Sequence, residues 1–147
     1  MPNRTEEQIP VKIKVLTAIY NKNDKETFEL TTFGRYYIKE NSSFLQYEEA
    51  VEEGNVNTVI KISSRQVTIL RKGPINMKLV FEQNQKQPGT YSTPYGALQT
   101  MTDSKRVDGS FNEETREGSI ELLYDMDIQG SHAGTYHLTI SFKEERK

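Results

Sequence analysis

Two charged residues fall on what should be the buried faces of strands. Val67, Ile69 and Arg71 stand two apart in "RQVTILRK", and Leu45, Tyr47 and Glu49 do the same in "SFLQYEE". Successive side chains of a strand point to opposite faces, so each charge shares the side that its apolar neighbours bury. A charge on an inward face has to be paired, to stand near a barrel mouth, or to belong to a polar cavity. One expectation is that both lie at strand ends where the face already meets water. The other is that they line a pocket with Tyr47, in which the Arg71 guanidinium grips an anionic group through two parallel hydrogen bonds.

Other chemistry is tested and set aside. "DMDIQG" at 125–130 places Asp125, Asp127 and Gly130 as in the start of a calcium loop, but the twelfth position, which needs a bidentate Glu, is Tyr136. His132 and His137 are the only histidines. A zinc site needs three or four ligands, so they are read as an exposed pair at a turn, with His137, between Tyr136 and Leu138, facing away from the core in a strand, and no metal or cofactor is expected. Glu48-Glu49 and Glu52-Glu53 are adjacent, so in a strand each pair points two ways and forms no carboxylate dyad. There is no nucleophile elbow, phosphate loop or dinucleotide fingerprint, and no nucleophile can be matched to a base. Enzymatic activity is therefore not the leading expectation.

The elements that position these residues are strands. "VKIKVLTAIY" sets Val11, Ile13, Val15 and Ile19 at period two. "ETFELTTFGRYYIKE" alternates likewise, and Gly34 inside it marks a bulge or bend. Short alternating runs follow, divided by turns at "EEGN" and Gly73-Pro74, with a further turn expected at Asp108-Gly109. The one candidate for a helix is the Glu-rich piece 111–117. About eight to ten strands without a long helical pattern predict an all-β antiparallel sandwich or barrel; the short connections favour an up-and-down meander, and closure removes exposed edges.

"PGTYSTPYG" at 88–96 reads as a bulged corner between two such strands, because Pro94 cannot donate to a ladder and Gly89 and Gly96 permit sharp backbone changes. Its tyrosines, Tyr91 and Tyr95, are candidate contacts at the barrel mouth.

Composition narrows the partners. Nineteen Lys and Arg against 21 Asp and Glu give a net charge of −2, so no overall field draws nucleic acid or anionic lipid. Aromatic and basic residues do alternate in "FGRYYIK", as in a base-stacking platform, but Tyr36 and Tyr37 must face opposite sides and nucleic acid is not the expected partner. Without cysteine there are no disulfides or thiolate sites, and "MPNRTEEQIP" lacks the apolar stretch of a signal peptide, so a soluble cytoplasmic protein is expected. No segment approaches the roughly 20 apolar residues of a membrane helix. At 147 residues one domain is expected over 1–147, with 1–8 and 144–147 as frayed ends. Apolar residues reach only 34%, so the core is expected to share its space with polar groups.

The segments "LQYEE", "VNTVIKIS", "ILRKGPINMKLVF", "YSTPYGALQTMT" and "LLYDMDIQ" together resemble the YwiB-like family of Gram-positive bacteria. That resemblance covers nearly the whole chain and implies a closed, lipocalin-like (calycin) β-barrel. It implies no activity, and the absence of Trp departs from the G-x-W signature of true lipocalins. The leading expectation is a small ligand bound in the barrel interior or mouth, with Tyr47, Glu49, Arg71, Tyr91 and Tyr95 as candidate ligand-binding residues. The alternative is a protein-interaction module with a packed barrel and a functional outer surface. Interior volume separates the two: a cavity of about 300 Å³ or more favours a ligand, and a filled barrel favours the outer surface.

Overall fold

In the computed structural model, which describes residues 8–145, the alternation in sequence becomes alternation in burial. Along the first strand Ile9, Val11, Ile13 and Val15 are buried while Pro10, Lys12, Lys14 and Leu16 are exposed. Ten strands follow one another: β1 (Ile9–Asn21), β2 (Asp24–Lys39), β3 (Ser42–Val51), β4 (Gly54–Ser63), β5 (Gln66–Lys72), β6 (Asn76–Glu82), β7 (Lys86–Thr93), β8 (Gly96–Asn112), β9 (Glu117–Ile128) and β10 (Ser131–Glu144). Each pairs antiparallel with the next, and β1 also pairs with β10, closing an up-and-down barrel. Closure satisfies the outer ladders of the first and last strands, which an open sheet would leave exposed.

One end of the barrel is filled by aromatic rings. Tyr36 stacks on Phe111 with centroids 4.4 Å apart and lies 5.2 Å from Phe142. The Tyr36 hydroxyl donates to Ser43 Oγ at 3.0 Å, so the ring is buried without stranding its polar tip. The middle of the core is apolar, with Ile13, Leu45, Ile60, Phe81, Ile120, Leu122 and Ile140 fully buried. Polar side chains share it as the composition requires: Thr58, Thr100, Thr102 and Ser104 are buried among them.

Several local expectations change. Gly34 lies in an unbroken register between β1 and β3, so it marks a close approach instead of a bulge. A Cβ there would run into the backbone carbonyl of Gln46 and come within 2.9 Å of Ile13 Cδ1. Asp108 and Gly109 do not turn; β8 runs through them, pairing Gly109 with Ile120. The Glu-rich piece forms no helix, because Asn112 pairs with Glu117 and the four residues between them make a hairpin loop. Asn112 Oδ1 accepts from the N–H groups of Glu114 and Thr115, a local bond that competes with helix formation. In "PGTYSTPYG", residues 88–93 belong to β7, and Pro94-Tyr95 form a two-residue hairpin turn in place of a bulged corner. Thr93 Oγ1 accepts from Tyr95 N at 3.1 Å, and Gly96 takes the positive φ of 134° that closes the turn. Register shifts do occur, between His132 and Gly134 and between Ser104 and Arg106. At the C-terminus Glu144 is in β10 and bonded to Arg116, and Glu145 N donates to Pro10 O, so neither is frayed. The remainder of the expected frayed ends, apart from Gln8, lies outside the described residues.

Two walls are incomplete in ways that matter. The β6–β7 ladder covers only Asn76–Lys78 against Thr90–Ser92. The β2–β3 ladder covers only Gly34–Lys39 against Ser42–Tyr47, so residues 24–33 of β2 pair with β1 alone.

Candidate functional site

The expected site residues are set by hairpin register. A turn at Glu52-Glu53 joins β3 to β4, and Ser64-Arg65, with Ser64 at a φ of 51°, joins β4 to β5. These tight turns place Tyr47 opposite Thr58, Thr58 opposite Arg71, Arg71 opposite Met77 and Met77 opposite Tyr91. Tyr47, Arg71 and Tyr91 therefore occupy one cross-strand rung of the barrel wall. Glu49 stands one inward position further along β3.

Arg71 and Glu49 meet across the intervening strand. Arg71 Nη2 donates to Glu49 Oε1 at 3.2 Å, and Thr58 Oγ1 donates to the same oxygen at 3.3 Å. Both charged side chains are about three-quarters buried, with 25% and 24% exposed. Arg71 Nε is buried and has no hydrogen-bond partner among the described residues. An unpaired buried N–H costs of order 1–3 kcal/mol, the more so on a charged group, so Arg71 stands here at an energetic cost. Beside the pair, burial pushes the Tyr47 hydroxyl well above the ordinary tyrosine range; the Glu49 charge adds to the effect and Arg71 opposes it. Tyr47 is thus held as a neutral O–H donor.

These groups line a cavity of about 240 Å³ that also takes in Thr58, Met77 and Tyr124. Its apolar side includes Val15, Leu30, Ile69, Leu79 and Leu138, and Phe28 stands at its edge, 55% exposed. The barrel is neither filled nor roomy: the space equals roughly eight water molecules at about 30 Å³ each and falls below the about 300 Å³ at which ligand pockets usually begin. Tyr124 stacks on Tyr136 with centroids 5.3 Å apart, and burial drives its hydroxyl pKa upward as well.

The structure brings Tyr47, Glu49 and Arg71 together at this cavity. It sets Tyr91 on the same rung without lining the space, and it places Tyr95 at the tip of the β7–β8 turn, 99% exposed. The two expectations for the charges merge, since they stand toward an open end of the barrel and also line a pocket. Thr58 and Tyr124 were not singled out from sequence. Their signals were there: Val56, Thr58 and Ile60 share a parity, as do Ile120, Leu122 and Tyr124, so each is a polar group among buried neighbours.

Elsewhere, His137 lies within β10 on the outer wall, the face its alternation with Tyr136 and Leu138 gives it, and its Nε2 is 2.7 Å from Glu121 Oε2. His132 pairs with Asp127 at 3.7 Å. No cluster of three or more metal-ligating side chains occurs among the described residues. On the outside, Tyr37 stacks on Phe44 at 5.1 Å and Lys61 lies over the Phe44 ring.

Comparison with known proteins agrees with this architecture. The chain is 28% identical over 137 residues to an uncharacterised β-barrel protein, YwiB of Bacillus subtilis (strain 168), covering 93% of this chain and 95% of that one. The crystal structure of the YwiB protein superposes with a TM-score of 0.87 at 27% identity, over 96% of each chain. Residues 13–140 match the model of a domain of unknown function, DUF1934, and the chain belongs to that family.

Proposed function

We propose that this barrel binds a small, partly apolar ligand in the cavity between Arg71 and the apolar side chains of β1, β2 and β10. The observation that carries the reading is the three-quarters-buried Arg71–Glu49 pair lining a space with room for a ligand group, with Arg71 Nε unpartnered among the described residues. The lipocalin-like resemblance agrees with a ligand held inside an up-and-down barrel, although fold alone assigns none.

Arg71 and Tyr47 supply donors, and the aliphatic wall supplies apolar contact. Native mass spectrometry of the protein after incubation with a metabolite pool, followed by thermal-shift measurements on the hits, tests the reading. A retained small molecule that raises Tm is expected; Arg71→Leu should weaken it about tenfold to a hundredfold, the loss of one or two charge-assisted hydrogen bonds. Ile69→Phe, which fills the space, should abolish it. Absence of any retained or stabilising compound removes the proposal.

A second reading draws on the outer wall, where Phe33 is 56% exposed two outward positions along β2 from Tyr37, which stacks on Phe44. It expects a stoichiometric protein partner that Phe33→Ser releases and Arg71→Leu leaves bound.

A further inference from the structure

Resting on the ligand-binding reading above, we infer that the cavity takes the uncharged polar head of an amphipathic molecule, such as an alcohol or amide, whose apolar chain leaves through a notch between β2 and β3.

The charge at the head is settled before a ligand arrives. Glu49 accepts from Arg71 and Thr58 through one oxygen, so the positive guanidinium is already neutralised and the Thr58 proton is committed. A carboxylate in this space would bring a second negative charge beside Glu49, in surroundings where each side chain is about three-quarters buried and screening is weak. What remains on offer is the Tyr47 hydroxyl and the unpartnered Arg71 Nε–H as donors, with the second Glu49 oxygen as an acceptor. An uncharged group that both accepts and donates, as an alcohol or amide does, meets them without that repulsion. This departs from the anion grip expected from the sequence, because one arm of the guanidinium fork is already occupied.

The route for the chain follows from the wall. Residues 24–33 of β2 have no ladder to β3, and Thr32 Oγ1 donating to Glu48 O at 3.4 Å is a side-chain link across the gap. Glu29 points outward by parity, opposite Leu16, yet it lines the cavity. Phe28 points inward by parity, opposite Thr17, yet is 55% exposed. A residue of each face borders the same space, so the cavity passes through the wall at this place. With only about 240 Å³ inside, a molecule longer than a few carbons must extend past Leu30 and Phe28 to the outside.

Calorimetric titration of the full chain with straight-chain 1-alkanols and the matching carboxylates near neutral pH tests this. The alkanols are expected to bind at least tenfold more tightly than carboxylates of equal length. Affinity should keep rising by about three- to fourfold per methylene, the value of a buried CH₂, beyond the length the cavity encloses. Glu49→Gln should reverse the head preference, and Phe28→Asp should flatten the dependence on length. If Glu49→Gln fails to fold by circular dichroism, Glu49→Gln with Arg71→Gln removes both charges and should erase the discrimination. Preference of the unaltered protein for carboxylates, an affinity that stops rising at short chains, or binding of neither series overturns the inference. The metabolite screen judges the broader reading separately, since a hit there with no alkanol binding sinks only the head-and-chain assignment.

Discussion

The hydroxyl of Thr102 donates to the carbonyl oxygen of Val80 at 2.6 Å, joining β8 directly to β6 although β7 lies between them in the barrel order. The bond stands where the β6–β7 ladder has ended, and the same hydroxyl is 3.4 Å from Gln87 O. Pro88, with no N–H to give, pairs with Met101 of β8 and lies in the part of β7 that has no ladder to β6. A side chain here does the work of a missing backbone rung.

Thr102→Val keeps the shape and removes the donor, leaving the Val80 carbonyl unpaired. The expected loss is about 1–3 kcal/mol in urea unfolding, with Thr102→Ser losing clearly less because its hydroxyl remains. Equal losses would mean that packing, not the bond, matters at this position.

Gly34 shares the rung of Tyr47 and Arg71, and its missing Cβ lets β3 approach β2. The obstacle to a larger residue is the Gln46 backbone, which cannot swing aside as a side chain would. Gly34→Ala should therefore destabilise the barrel by about 1–3 kcal/mol, the usual range for overpacking, read as a lower midpoint in the same unfolding assay.

Tyrosine ionisation should be heterogeneous. Burial raises the pKa of Tyr47, Tyr124 and Tyr136 above the ordinary value near 10, so these three should stay protonated as the pH passes 10. Their ionised form is disfavoured in the fold, so stability is intact below about pH 10 and drains away as pH rises toward the raised values. Ultraviolet titration should show fewer than the eight tyrosines ionising before alkaline unfolding releases the rest. A single smooth step for all of them would contradict this.

On the acid side, the hydrogen bond with His137, ahead of the nearby Arg106 charge, holds the Glu121 carboxyl below its usual range. A depressed carboxylate pKa contributes stability that is present above about pH 4.3 and is lost as pH falls through the lowered value. Thermal melts across the acid range should show Glu121→Gln weakening the protein at neutral pH and converging with the unaltered protein in strong acid. A constant difference at every pH would leave the carboxylate no part in it.

Much of the inward face was legible because a strand has a period of two and water is a poor solvent for Val, Ile and Leu. That is why Arg71 and Glu49 stood out among Val67, Ile69, Leu45 and Tyr47, and why they are found about three-quarters buried at the cavity. Local signals misled where a long-range ladder competed. Asp108-Gly109 has turn chemistry, but pairing with β9 carries the strand through it, and Gly109 sits against Ile62. Tyr95 shares a parity with Tyr91, yet it is itself the second residue of the Pro94-Tyr95 turn, which ends the alternation that parity arguments need.

The sequence by itself determined that the chain is built of strands and which parity of Val67–Arg71 and Leu45–Glu49 turns inward, both of which depend on neighbours a few positions apart. Only the tertiary structure decided that Thr58 and Tyr124 face the same space as Arg71, that Glu49 already occupies one arm of its guanidinium, and that β2 parts from β3 beside them. Those outcomes depend on register and closure, which are set by the fit of distant strands around one core and leave no mark in any short stretch of chain.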